Sequence, residues 1–469
     1  MRSQETSKET AFSDVLIGLQ YGDEGKAKIV DFLAPDYDVV ARFNGGVNAG
    51  HTVVTEKGKL ALRQVPSAVA YPDRNLYIGS GCALSIADLV SEISSIEEIG
   101  YSVEDRLTIS PHTTLVLPHH ILLDRIHGGE VGTTGNGIGP AYAERAFRMR
   151  DGVVTNIRAI DLAENSEYVI ETAEKLLSNL EGLSEQHAAV AQELMSKFRD
   201  AIPHVQKYVA TSPTFLVDKV RAGAKVLFEG AQSYMLDVTV GDVPYVTSSN
   251  TSVAAAYTGG DLPPIYHRKA FGVAKLIMSR VGNGPFASEF GEERSREYCV
   301  KDKGLAHTRK FEEESLNPDE LISSDDPFEI GRALRMYSGE YGTGSGRPRR
   351  IGMFDLNQLK RAIHANGIDE LYLTKADCLV DFNKTKDGSI PIYQGKEESS
   401  AVVRVKAPSQ PFTEAKSPND LPEEIFQVIQ LIEESCSVAV AGVGVGPHRD
   451  QLVSLPQGSP ENSRKAVNE

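Results

Sequence analysis

The chain is 469 residues long, 41% of them apolar, and its 65 acidic and 49 basic side chains leave a formal net charge of −16. At about 150 residues per domain this length suits two to three domains or one large α/β unit, and the apolar share allows a sizeable core. So acidic a chain is a poor candidate for sequence-independent nucleic-acid binding, and no stretch approaches the roughly 20 apolar residues of a membrane span.

The polar opening MRSQETSKETAF is expected to hold neither a secretory signal nor a transit peptide, and residues 1–13 read as a flexible tail. An apolar run, Val15 to Leu19, predicts a strand. A Gly-rich turn and a helix from Lys26 to Leu33 follow, and Asp38 to Phe43 form a second strand. Helical patterns cover 161–182, 185–201 and 356–366, and short apolar runs at 226–228, 371–373 and 437–441 read as buried strands. This alternation predicts an α/β fold with a large, mainly parallel central sheet, helices on both faces and a P-loop-like nucleotide-binding architecture. One domain is expected over 14–455, with a second flexible tail at 456–469. Residues 289–340 are dense in charge and read as a surface insertion, partly disordered, while 381–422 are expected to wrap the surface.

Cys82, Cys299, Cys378 and Cys436 are far apart and form no CxxC pair. They read as free thiols in a reducing compartment, which places the chain in the cytoplasm. His119-His120 is read as packing or surface rather than as a metal-binding pair.

Gln20 to Lys28 follow a strand and open a helix. Gly22, Gly25 and Lys26 suit a phosphate cradle built on helix N–H groups. The Walker pattern fails twice, because Gln20 replaces its first glycine and Ala27 its Mg²⁺-binding hydroxyl. Asp23 and Glu24 add two carboxylates, which beside phosphates call for Mg²⁺ or proton chemistry; the plain alternative is an ordinary turn with a solvated charge pair. Residues 45–52 (GGVNAGHT) form a second Gly-rich loop in which Asn48, His51 and Thr52 can reach a ligand, and His51 suits acid chemistry. Residues 132–142 (GTTGNGIGPAY) form a third. Lys375 and Asp377 make a KxD pair at a strand end: the carboxylate can accept from guanine N1–H and its amino group, donors that adenine does not match. Gly444 and Gly446 can close over the base or ribose. Residues 342–350 carry Arg347, Arg349 and Arg350, which could read carboxylates or phosphates, or simply be solvated.

As a set, GDEGK at 22–26, NAGHT at 48–52, GTTGNGIGPAY at 132–142, FEGAQ at 228–232, PYVTSSNT at 244–251, RVGNGPF at 280–286, GRPRR at 346–350 and LTKAD at 373–377 resemble adenylosuccinate synthetases over nearly the whole chain. The resemblance implies a GTP-dependent ligase that converts IMP and L-aspartate to adenylosuccinate, GDP and phosphate through 6-phosphoryl-IMP. It implies that Asp23 is the general base and, with the Gly50 carbonyl, binds Mg²⁺. His51 and Lys26 would act on the phosphates, and Gln232 would also belong to the catalytic group. Asn48, Thr134, Arg148, Gln232, Thr247 and Arg347 match IMP contacts, with Arg148 reaching across a homodimer. Thr343, Ser345, Arg347 and Arg349 match the aspartate loop. Gly22, Glu24, Gly25, Lys26, Ala27, Gly50, His51, Thr52, Arg349, Lys375, Asp377, Gly444 and Gly446 match the GTP site.

The chain departs from the family pattern at Tyr21, Ala27, Asn44, Val47 and Asn136, and in the aspartate loop at Gly344 and Ser345. These differences leave two alternatives: a paralogue that phosphorylates in the same way but uses another amine or purine nucleotide, and a non-catalytic guanine-nucleotide-binding protein. A phage-borne branch that aminates a guanine nucleotide lacks the carboxylate matching Asp23. Its presence here favours a hypoxanthine-type substrate.

Overall fold

The computed structural model describes residues 11–129, 132–342, 346–395 and 401–456, the side chains of 301–303 excepted. Nine strands form the central sheet: β1 (Ser13–Gly18), β2 (Val39–Arg42), β3 (Asn75–Ile78), β4 (Leu107–Ile109), β5 (Val226–Ser233), β6 (His267–Lys275), β7 (Glu370–Thr374), β8 (Ala439–Gly444) and β9 (Leu452–Ser454). Their order is β9-β8-β7-β6-β1-β5-β2-β3-β4. Only β9 runs antiparallel to its neighbour, and the other pairs are parallel.

β1 lies between β5 and β6, with Val15 level with Phe228 on one side and Ala270 on the other. All six of its residues are buried, as expected of a strand covered on both faces. Its side chains alternate between two cores. Val15 and Ile17 pack into a cluster with Leu356, Leu359, Ile363, Ile425 and Ile432. Leu16 packs on the opposite face with Ile29, Val30, Leu89 and Phe198. Later strands extend the sheet in both directions from β1, so the carboxyl ends of β1, β5, β6 and β7 open onto a topological switch point, where such sheets bind ligands.

Helix α1 spans Lys26–Leu33, starting after Gly25 at φ 85°, a conformation that costs glycine nothing. The single helix expected over 161–182 is instead two, Ala159–Glu164 and Ser166–Ser178. Asn165 stands between them and accepts from the Tyr168 N–H, so it caps a new helix rather than continuing the old one. The helix at 356–366 starts at Leu356 and ends at Asn366, with Asp355 capping its first turn.

Three expectations need correction. Residues 289–340 form helices Glu292–Cys299, Lys301–Ala306, Arg309–Ser315, Pro318–Ile322 and Pro327–Ser338. One of their charge pairs is turned inward: Arg335 donates to the buried Glu312 through Nε (3.0 Å) and a terminal nitrogen (2.5 Å), while Ile322 and Leu334 enter the core. The 381–422 region does more than wrap the surface. Its strands Ser389–Tyr393 and Val402–Lys406 join Phe354–Asp355 in a small sheet. Finally, the expected N-terminal tail reaches too far, because Ser13 is a buried strand residue and the Phe12 ring meets Tyr37 edge-on at 6.2 Å. Residues 1–10 and 457–469 lie outside the described residues. No helix among the described residues is long and apolar enough to cross a membrane.

Candidate active site

The phosphate loop leaves β1 pinned to its neighbour. Gln20 Nε2 donates to the Lys275 carbonyl (3.1 Å), and the Lys275 N–H donates back to Gln20 Oε1 (3.0 Å). This explains a glutamine where a Walker loop has glycine. Glu24 is turned inward. Its carboxylate accepts from Gly22 N–H (2.8 Å), Lys26 Nζ (2.8 Å) and the Ser233 hydroxyl (2.6 Å). Burial opposes its ionisation, yet Lys26 and these donors hold it below its ordinary value. Glu24 is therefore a strut of the loop. Ala27 packs its methyl into the core, so it does not crowd the phosphate side.

Asp23 is the other carboxylate of the loop, and it faces outward. Its side chain is 35% exposed and pairs with Arg349 at 2.5 Å. Asp23, Gln232 and Lys375 all have left-handed backbones, with φ 56°, 54° and 60°. Such strain in non-glycine residues gathers at functional sites. Gln232 ends β5 with both atoms of its amide buried and unpaired within the protein. A buried amide in that state is costly unless a ligand satisfies it.

His51 opens a hairpin formed by His51–Thr55 and Gly58–Leu62. Its Nδ1 is hydrogen-bonded to Glu229, whose carboxylate also accepts from the Ser67 N–H (2.8 Å) and hydroxyl (2.5 Å). Burial and the Arg42 guanidinium hold the imidazole below its ordinary value despite Glu229. Glu229 resists burial with help from His51 and stays ionised, at about 2. The pair is thus a neutral imidazole donating through Nδ1 to a carboxylate, which leaves Nε2 for a ligand. Asn44 clamps the same strand end, exchanging bonds with the Ala231 N–H (2.8 Å) and carbonyl (3.1 Å).

On the other side of the crevice, Thr374 donates its hydroxyl to the Glu24 carbonyl at 2.6 Å, tying the phosphate loop to the KxD strand. Lys375 Nζ donates to the Ser338 carbonyl at 2.6 Å. Burial raises the Asp377 carboxyl above its ordinary value. Lys28 donates to the Gly446 and Gln451 carbonyls, both at 2.6 Å. Burial lowers its ammonium to about 8. Gly444 accepts from the Ala376 N–H at 3.1 Å, so the two base-site segments are joined.

The remaining residues are more dispersed. Asn48 accepts from the Gly46 N–H (3.1 Å) and shapes its own loop. Gly50 is exposed, with no atom within 4 Å of where a β-carbon would stand. Thr52 pairs with Ala61 in the hairpin. The Thr247 N–H donates to the Leu236 carbonyl (2.7 Å). Thr134 is exposed and accepts from the Asn136 amide (3.0 Å). Arg148 is exposed at φ 67°, between Phe147 and Met149, which are 63% and 59% exposed. Arg347 does not join Arg349: its Nε donates to the Cys299 carbonyl at 3.0 Å. Thr343 and Ser345 lie outside the described residues.

His119 and His120 are fully buried and share Glu144, at 2.8 and 3.1 Å. Their ligating atoms and that of Glu144 lie within 4.8 Å of one another. However, the Leu117 N–H donates to His120 Nδ1 (3.0 Å), which leaves the proton of the neutral ring on Nε2, and Arg150 pairs with Glu144 at 2.5 Å. A protonated Nε2 and a neighbouring guanidinium both oppose a cation there.

Glu229, Glu340, Lys28 and Lys275, which sequence reasoning passed over, bond to the candidate residues or to one another. Glu229 was within reach, since it lies in the FEGAQ motif, but no role was attached to it.

The Gly-rich loop is tied directly to the strand that carries the KxD pair, with an outward carboxylate on the loop and a carboxylate-held imidazole across the crevice, and the relatives that share these motifs are GTP-dependent ligases. The chain belongs to the adenylosuccinate synthetase family, whose sequence profile matches residues 15–453. It is 45% identical over 452 residues to adenylosuccinate synthetase 2 of Cupriavidus pinatubonensis, covering 96% of this chain and 98% of that one. It is 35% identical to adenylosuccinate synthetase of Caldicellulosiruptor bescii, covering 93% and 98%. Among solved structures it resembles the fully ligated adenylosuccinate synthetase of Plasmodium falciparum, with TM-score 0.77, 26% identity and coverage of 95% and 100%. A succinoaminodeoxyadenylate synthetase from cyanophage S-2L shares the fold, at TM-score 0.59 and 19% identity over 98% and 99% of the chains. The family's reaction is the GTP-dependent joining of IMP and aspartate.

Proposed function

We propose that this chain carries out the family reaction itself, with Asp23 as general base. The observation that carries this is the division of labour in the phosphate loop. Glu24 is consumed by four donors, whereas Asp23 is partly open and, among the described residues, pairs with one arginine side chain.

Asp23 removes the N1 proton of IMP. The O6 oxygen then attacks the γ-phosphorus of GTP, the bond to the β-phosphate oxygen breaks and GDP leaves. Lys26 balances charge on the phosphates. His51, its Nδ1 proton held by Glu229, takes a proton from solvent at Nε2 when the phosphates bring negative charge beside it, and donates that N–H to the transferring group. The aspartate amine attacks C6 and phosphate departs. Asn48, Thr134, Gln232 and Thr247 hold IMP, Arg347 and Arg349 receive the aspartate carboxylates, and Lys375, Asp377 and Gly446 read guanine. Asp23 and the Gly50 carbonyl offer hard oxygen donors with open space around Gly50, a set that suits Mg²⁺. When bound there, Mg²⁺ neutralises phosphate charge.

Arg148 completes the IMP site of a second subunit in a homodimer, and exposed Phe147 and Met149 beside it support an interface at that place. Four buried free thiols fit a reducing cytoplasm.

The test is incubation with GTP, Mg²⁺, IMP and L-aspartate, following adenylosuccinate by its ultraviolet absorbance and phosphate in parallel. Product from the full mixture and none from any omission is expected. Phosphate release without adenylosuccinate would overturn the assigned acceptor or amine and leave the phosphoryl transfer standing.

A further inference from the structure

Glu340 is a buried carboxylate for which the reaction above has no use. It is 2% exposed and ends the helical 289–340 region, two residues before the arginine segment begins at Gly342. Its Oε2 accepts from Ser279 Oγ (2.6 Å), Arg349 (2.8 Å) and Lys275 Nζ (3.1 Å), and its Oε1 lies 3.5 Å from Lys375 Nζ. Three cations from three elements therefore converge on one anion. Lys275 ends β6, Lys375 follows β7, and Arg349 belongs to the segment that returns to the sheet. These cations lower the Glu340 carboxyl well below its ordinary value, against its burial. The backbone reinforces the junction, with the Arg349 N–H donating to the Glu340 carbonyl at 3.1 Å.

We propose that Glu340 is a positioning residue that aims Arg349 at the amino-acid substrate and Lys375 at guanine, so that both substrate sites depend on one carboxylate. This rests on the functional reading above for the two ligands. Arg349 lies between two carboxylates, with one terminal nitrogen on Asp23 and the other on Glu340. When Asp23 turns to its own ligands, Glu340 keeps the guanidinium pointed into the crevice, with the terminal nitrogen that Asp23 releases free to donate to a substrate carboxylate. On the other side, Lys375 is held by Glu340 and the Ser338 carbonyl, which draws its methylene stem along the base site. Without the anion, the three cations repel one another at short range in a medium that screens poorly, and each side chain drifts from its ligand. Glu340 itself touches no substrate.

The experiment is Glu340→Gln, which keeps the shape and removes the charge. KM for L-aspartate and KM for GTP are both expected to rise about tenfold, the scale of a lost hydrogen bond to a charged group, with kcat falling less. A merely structural role would reduce the amount of folded enzyme and hence apparent kcat, with both KM values unchanged. That result overturns the proposal. Fluorescent GDP binding reads the Lys375 arm without turnover, so it stays informative even if the wild-type enzyme forms no adenylosuccinate. Affinity should fall about tenfold in Glu340→Gln and fall no further when Lys375→Met is added; additive losses would overturn the coupling. If Glu340→Gln does not fold, Ser279→Ala removes a donor to the same carboxylate without unpairing a charge. A rise of about twofold or more in both KM values supports the proposal, and unchanged values overturn it.

Discussion

The Arg349 guanidinium sits on the Asp23 carboxylate at 2.5 Å. A residue of the arginine segment thus neutralises the proposed base, and the two must separate as ligands enter. Asp23→Ala should lower kcat by about a thousandfold, the range of a lost general base, while GDP affinity stays within about threefold. Steady-state assays with fluorescent GDP titration check this. Near-normal turnover would remove Asp23 from the role.

Asp377 should govern the choice of nucleotide. Asp377→Asn replaces a carboxylate acceptor with an amide, and the loss of charge-assisted bonds to guanine is expected to raise KM for GTP by roughly 10- to 100-fold. The preference for GTP over ATP should narrow correspondingly. Competition assays with the two nucleotides decide it, and unchanged discrimination would reject the base-site assignment.

Lys28 holds the Gly446 and Gln451 carbonyls, so Lys28→Met leaves both without that donor and should raise KM for GTP about tenfold. Burial lowers its pKa to about 8. The ammonium is therefore charged below that value and neutral above it. Wild-type KM for GTP should climb as pH rises through about 8, and the variant's profile should lack this step. A step of equal size in both proteins would assign it to another group.

The His51–Glu229 pair makes the fold sensitive to acid. Glu229 has a folded value of about 2 against an ordinary 4.5, so its contribution is complete above 4.5 and is lost as pH falls toward 2. His51 is lowered from 6.5. The unfolded ring therefore protonates first, and this group's contribution begins to fade below 6.5. Thermal midpoints should decline from pH 7 to 5 and fall further below 4.5, where Glu24 and Glu340 also contribute, and Glu229→Gln should make the lower decline shallower. If the variant's curve parallels that of the wild type, the pair does not set the acid limit.

Legibility in the sequence followed local signals. The run Val15 to Leu19 and the glycines before Lys26 identified β1 and α1 because an apolar strand and a Gly-rich turn depend on near neighbours. Asp23, His51, Lys375 and Asp377 could be proposed from the sequence because each sits in a short motif next to a strand. The 289–340 region was misread because composition cannot tell a solvated charge from a paired one. Glu312 and Arg335 are 23 residues apart in sequence yet buried together. Glu340 stayed invisible for the same reason: its partners Lys275 and Lys375 are a hundred positions apart in sequence, and only the sheet order makes β6 and β7 neighbours.

Asp23, Gln232 and Lys375 keep left-handed backbones without being glycine, each at about 1 to 3 kcal/mol. Glycine at any of the three would relax the backbone, yet would delete a side chain that the proposed reaction uses, and at Lys375 would take a cation from Glu340. Backbone ease and the proposed chemistry thus pull in opposite directions at these three positions.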